Sequence, residues 1–89
     1  MVSVDLTINN KVGLHARPAT LFSKEAQKYA SSIFVNYQGN KANGKSMLEV
    51  MGLGIGCGAE FTLTATGDDE VIALEGLKSL VGSNFGEPE

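Results

Sequence analysis

Val2-Ser3-Val4-Asp5-Leu6-Thr7-Ile8 leads into Gly13-Leu14-His15-Ala16-Arg17-Pro18-Ala19, and the change of period between these two stretches decides the fold. In the first, Val2, Val4, Leu6 and Ile8 alternate with Ser3, Asp5 and Thr7, the pattern of a strand with one buried and one wet face. Asn9-Asn10-Lys11 and Gly13 break the alternation and deliver His15 to the front of the next element. From Ala16 the spacing is helical: Ala19, Phe22, Ala26 and Tyr29 form one stripe, with Ser23, Lys24, Gln27 and Lys28 away from it. Pro18 falls in the first turn, where its missing N–H costs nothing, and Ser31-Ser32 are expected to end the helix.

Beyond that helix, Ile33, Val35 and Tyr37 make a second alternating strand. Gln38-Gly39-Asn40 is a tight connection to a short third strand around Lys41-Ala42-Asn43, polar enough for an exposed edge. Ser46 and Glu49 have capping-box spacing, which predicts a helix of one to two turns. Glycines at 52, 54, 56 and 58 then stop it. Gly54, Gly56 and Ala59 formally match a dinucleotide fingerprint, but that motif follows a strand and opens a helix; here the order is reversed and a turn is expected.

Phe61, Leu63 and Ala65 alternate with Thr62, Thr64 and Thr66 in a fourth strand. Asp68-Asp69-Glu70 place acids at the positive end of a last helix with an inward stripe of Ala73, Leu77, Leu80 and Val81. Gly76 weakens that helix locally, Gly82 is its expected stop, and Asn84 to Glu89 read as a frayed tail. The order β-α-β-β-α-β-α predicts an α+β fold, a four-stranded antiparallel sheet with three helices on one face and a polar face opposite. Residues 1–89 are expected to form a single domain.

Composition narrows the function. A net charge of −3 and a pI near 5.0 argue against nucleic-acid binding. The absence of a signal-peptide pattern or an apolar run approaching about 18 residues predicts a cytoplasmic protein without membrane insertion. One cysteine and one histidine leave no internal disulfide and no zinc ligand set, so neither metal nor cofactor is expected. Cys57 has no cationic neighbour in sequence and reads as a small core residue rather than a reactive thiol.

His15 and Arg17 are the only histidine and the only arginine in the chain. An imidazole just ahead of a helix faces unpaired backbone N–H groups and the positive end of the macrodipole, which disfavour imidazolium and welcome an anion. Arg17 supplies a planar fork of donors suited to phosphate oxygens. Two readings fit this pair: a phosphoryl acceptor with its stabilising cation, or a helix cap beside a solvated arginine. The chain presents no convergent hydrolytic partners, and phosphoryl transfer asks chiefly for positioning and charge stabilisation.

Residues 13–19, together with Lys45-Ser46 and Met51-Gly52-Leu53-Gly54, resemble the HPr family, the histidine-containing phosphocarriers of the bacterial sugar phosphotransferase system. The likeness covers essentially the whole chain. It implies the open-faced β-sandwich of that family and a carrier without independent turnover, hence not an enzyme. By resemblance, Enzyme I charged by phosphoenolpyruvate phosphorylates His15 on Nδ1, Arg17 stabilises the phosphate, and IIA domains of sugar permeases receive it. Family members dock through their first two helices, which nominates Ala16, Thr20, Lys24, Lys28, Met47, Leu48 and Met51 as contacts. A solvated helix face is the other reading for the lysines, and partial burial in the core for Met51.

Ser46 reads as a helix cap worth on the order of 1 kcal/mol. The matching serine in the family is also the target of HPr kinase/phosphorylase and links the carrier to the catabolite control protein in carbon catabolite regulation. Glu49 and Gly52 stand where Gram-positive members commonly carry glycine and serine, and Glu49 would repel a phosphate one turn away. The chain is expected to be a monomer. Two alternatives remain: a regulatory paralogue acting through Ser46 or the nitrogen-related branch, and a small binding module without phosphoryl chemistry. Retention of both His15 and Arg17 argues against the binding module.

Overall fold

A computed structural model of the chain describes residues 1–9, 13–83 and 85. Strands β1 (Val2–Thr7), β2 (Ser32–Tyr37), β3 (Asn40–Asn43) and β4 (Glu60–Thr66) form one antiparallel sheet in the order β1-β4-β2-β3. Helices α1 (Ala16–Ala26), α2 (Met47–Gly52) and α3 (Glu70–Gly82) complete the expected β-α-β-β-α-β-α order. Pairing aligns Val4 with Leu63, Leu63 with Val35, and Val35 with Ala42, so one row of apolar side chains crosses all four strands on the covered face. Phe22, Ala26, Val50, Ala73 and Leu77 pack on that face from the three helices. Each large side chain so buried contributes about 1.5–3 kcal/mol. The opposite face carries Ser3, Asp5, Thr7 and the β4 threonines, with Lys41 Nζ 4.1 Å above the Phe34 ring.

The β2–β3 hairpin turns through Gln38 and Gly39, both at positive φ (49° and 82°), as a two-residue turn of the primed kind requires. The glycine-rich stretch after α2 is a turn leading into β4, as its reversed order anticipates.

Several expectations are corrected. α1 ends at Ala26 with Gln27 as its C-cap, not at Ser31-Ser32; Tyr29 and Lys28 lie in the turn beyond it. Gln27 donates from Nε2 to the Lys45 carbonyl at 3.0 Å, and Lys45 Nζ donates to the Tyr29 carbonyl at 2.7 Å, so tertiary bonds hold this turn. Ser23 is buried, because positions 19, 23 and 26 share a helix face; its hydroxyl donates to the Thr20 carbonyl at 3.2 Å. Phe85 is buried in the core rather than frayed, while Asn84 and residues 86–89 of the expected tail lie outside the described residues, as do Asn10 and Lys11.

Of the acids at the start of α3, Glu70 lies in the first turn as expected, and Asp69 makes a tertiary contact besides. Asp69 occupies the N-cap position without a capping bond. Its carboxylate instead accepts from the Ser31 hydroxyl and from the N–H groups of Ala30 and Ser31, at 2.9 Å each for the two amides. Those bonds, the Ser31 hydroxyl foremost, hold the Asp69 carboxyl below its ordinary value. The result is a clamp that ties the start of β2 to the start of α3.

Candidate functional site

His15 is the N-cap of α1, with extended backbone angles (φ −81°, ψ −169°) and no capping hydrogen bond from its side chain. It is exposed, and so are Ala16 and Arg17 in the first helical turn. Two backbone bonds flank it. The His15 carbonyl accepts from Ala19 N at 2.8 Å, while on the other side Leu14 N donates to the Ile55 carbonyl at 2.8 Å. Leu14 and Pro18 are buried, which fixes the chain before and after the imidazole.

The turn after α2 forms the opposite wall. Leu14, His15, Met51, Gly54, Ile55, Gly56 and Cys57 surround a depression of about 280 Å³. Cys57 is thus an exposed free thiol beside the histidine, not the core residue expected; its Sγ lies 3.9 Å from the Asn9 carbonyl. Sequence reasoning missed it because its local neighbours carry no sign of which face of the turn is open. Arg17 and Ser46 do not line the depression.

The remaining nominated residues spread across α1 and α2. Thr20 Oγ1 lies 2.7 Å from both the Ala16 carbonyl and Met47 Sδ, and donates its one proton to either, which joins the two helices. Met47 and Met51 are half-buried, whereas Leu48 is 71% exposed. Lys24 is exposed on α1; Lys28 lies past its end with Nζ 3.0 Å from Glu25 Oε1. Ser46 caps α2 by accepting from Glu49 N at 3.3 Å. Only half of the capping box forms, because Glu49 Oε1 accepts from Asn43 N at 3.0 Å rather than from Ser46.

Residues 2–83 match the family model described as the PTS HPr component phosphorylation site. The chain belongs to the HPr family. HPr-like protein Crh from Bacillus subtilis (strain 168) is 43% identical over 81 residues, covering 91% of this chain and 95% of Crh. HPr-C-His from Thermoanaerobacter tengcongensis has a crystal structure that superposes with a TM-score of 0.97 at 45% identity, with both chains fully covered. An HPr dimer from the same organism matches at a TM-score of 0.79 and 46% identity, over 98% of this chain and 100% of that one. Members of the HPr family are phosphocarriers rather than classical enzymes. The expected monomer stands beside that dimeric HPr relative. Among the described residues no helix is long and apolar enough to cross a membrane, and no three His, Cys, Asp or Glu side chains gather as a metal site.

Proposed function

We propose that this HPr-family chain is a phosphocarrier of the sugar phosphotransferase system, acting as a monomeric, single-domain cytoplasmic protein. His15 receives the phosphoryl group of phospho-Enzyme I and passes it to IIA domains of sugar permeases. The observation that carries the reading is the exposed imidazole at the N-cap of α1, uncommitted to any capping bond, next to Arg17 in the first turn. In the accepting step the lone pair of imidazole Nδ1 forms the N–P bond as the bond from phosphorus to its donor atom on Enzyme I breaks, the electron pair leaving with that atom. The negative charge of the phosphoryl oxygens faces the first-turn N–H groups and Arg17. Handing the group on reverses the bond changes, so the chain returns unchanged. Thr20, Met47, Leu48 and Met51, with Ala16, Lys24 and Lys28, present the docking surface.

Incubation with Enzyme I and labelled phosphoenolpyruvate tests this directly. An acid-labile adduct is expected on the unmodified chain, and its persistence in His15→Ala would sink the assignment.

A second reading draws on the Crh relative: a regulatory role through Ser46, involving HPr kinase/phosphorylase and the catabolite control protein. Ser46 caps a helix N-terminus, where added phosphate is electrostatically tolerated, although Glu49 opposes it. An acid-stable adduct formed with ATP and the cognate kinase, and lost in Ser46→Ala, is the expected signature. If no such adduct forms, the regulatory role fails.

A further inference from the structure

We infer that the backbone seam between Gly13-Leu14 and Ile55-Gly56 positions His15 for phosphoryl acceptance, which makes Gly13 and the Ile55 carbonyl positioning groups. The inference rests on His15 being the acceptor. α1 alone does not place the imidazole, because His15 stands outside the helix and only its carbonyl is tied to it, through Ala19 N. A restraint from outside α1 comes from the turn after α2, where the Ile55 carbonyl takes the Leu14 N–H at 2.8 Å. Leu14 and Ile55 are each 2% exposed, so both sides of this bond are anchored in the core.

Gly13 is what lets the two segments meet. Its φ is +68°, and a Cβ added there would sit 2.5 Å from the Ile55 oxygen and 2.7 Å from Gly56 Cα. Both are backbone atoms, so no rotamer change relieves the overlap. Either the segment bearing His15 or the 55–56 turn would have to withdraw, and the Leu14 bond shares the same carbonyl. Such a shift reaches the imidazole two residues on. In-line transfer is sensitive to misplacement on this scale, about 1 Å costing on the order of a hundredfold. Thr20, Lys24, Met47 and Leu48 of the docking surface lie on α1 and α2 away from the seam and line no part of the depression, so binding and chemistry should separate.

The test is rapid-quench phosphorylation of the full chain by phospho-Enzyme I, with kcat and KM measured separately. Gly13→Ala, checked as folded by amide NMR, is expected to lose about tenfold or more in kcat with KM within about twofold. Gly82→Ala, where an added Cβ meets nothing, is expected to leave both unchanged. Should Gly13→Ala fail to fold, an ester in place of the Leu14 amide decides. It removes the N–H to Ile55 and keeps every side chain, and the native Gly56-Cys57 junction suits its assembly by thioester ligation. Its expected kcat loss is about three- to tenfold. Wild-type kcat in a folded variant, or a loss confined to KM, would overturn the seam while leaving the carrier reading intact. No phosphate on His15 of the unmodified chain would overturn the carrier reading, and the seam with it.

Discussion

Replacing Gly76 with alanine should destabilise this protein, against the ordinary expectation for a helix interior. An alanine there usually gains about 1 kcal/mol over glycine. In α3, however, a Cβ built on Gly76 overlaps Tyr29 Oη and comes within 3.0 Å of Tyr29 Cζ and 3.1 Å of Glu25 Oε2. Tyr29 Oη donates to Glu25 Oε2 at 2.7 Å. That bond, with Lys28 beside it, lowers the Glu25 carboxyl from its ordinary value, and the same bond, with burial, raises the Tyr29 phenol. The ring must therefore swing away and give up a charge-assisted bond, worth about 1.5 kcal/mol at the lower end of its range because Glu25 is only partly buried. Moving the ring off the core residues it packs against costs about 1 kcal/mol more, on the order of one buried methylene group. The net loss is about 1.5 kcal/mol, or a fall in Tm of about 6–12 °C for a domain of this size.

Thermal and urea unfolding at neutral pH, followed by circular dichroism, measure the effect. A double-mutant cycle supplies the sharper test. Tyr29→Ala clears the space, so in that background Gly76→Ala should raise stability by about 1 kcal/mol. The reasoning is refuted if Gly76→Ala stabilises the wild type as much as it stabilises Tyr29→Ala. Ionisation of the raised Tyr29 phenol adds a pH signature: its contribution is complete below the unfolded value near 10.0 and is lost as pH rises through the folded one.

Asp69→Asn should flatten the acid limb of stability, since a carboxyl lowered from 3.8 by Ser31 and Ala30 stabilises above that value and loses the contribution as pH falls through its folded one; an unchanged slope of Tm below about pH 4 would refute the clamp. Ser46→Ala should cost about 1 kcal/mol through the lost cap, and urea midpoints equal to wild type would rule the cap out as a stabilising contact. Leu48→Asp, on a side chain 71% exposed, should leave stability within about 0.5 kcal/mol yet raise KM for phospho-Enzyme I; an unaltered KM would remove Leu48 from the docking surface. Alkylating Cys57, which shares a depression with His15, should slow phosphoryl acceptance without lowering Tm, and full modification at an undiminished rate would contradict that shared space.

The elements that could be read from the sequence are those whose evidence is local. Period-two alternation in residues 2–8 and 61–66 survives as the β1 and β4 faces, because a one-residue slip would turn every apolar side chain to water. The Ser46 cap was legible for the same reason, since its donor is only three residues away. What was missed depends on partners distant in the chain. Asp69 reads only as an acid at a helix start until Ser31, 38 residues earlier, arrives beside it, and Glu49 reads as the second half of a capping box until the fold of the loop before α2 brings the Asn43 N–H to its carboxylate. Gly76 looks like a weak point in a helix, although it is the slot that admits Tyr29.

The same division runs through the candidate site. The histidine, the arginine and the helix start lie within one short stretch, so their chemistry could be argued from order alone. One restraint on the N-terminal side of His15 comes from Ile55 and Gly56, whose glycine-rich surroundings suggest only a turn. A glycine at 13 has two readings in isolation, a loop breaker or a point of close approach. Only the fold distinguishes them, by bringing the Ile55 carbonyl to where its side chain would have been. On the proposed reading, His15 as the phosphoryl acceptor needs to be both exposed and held still. Here exposure is a local consequence of the N-cap position, whereas the holding requires the turn after α2, which is why the first was predictable and the second was not.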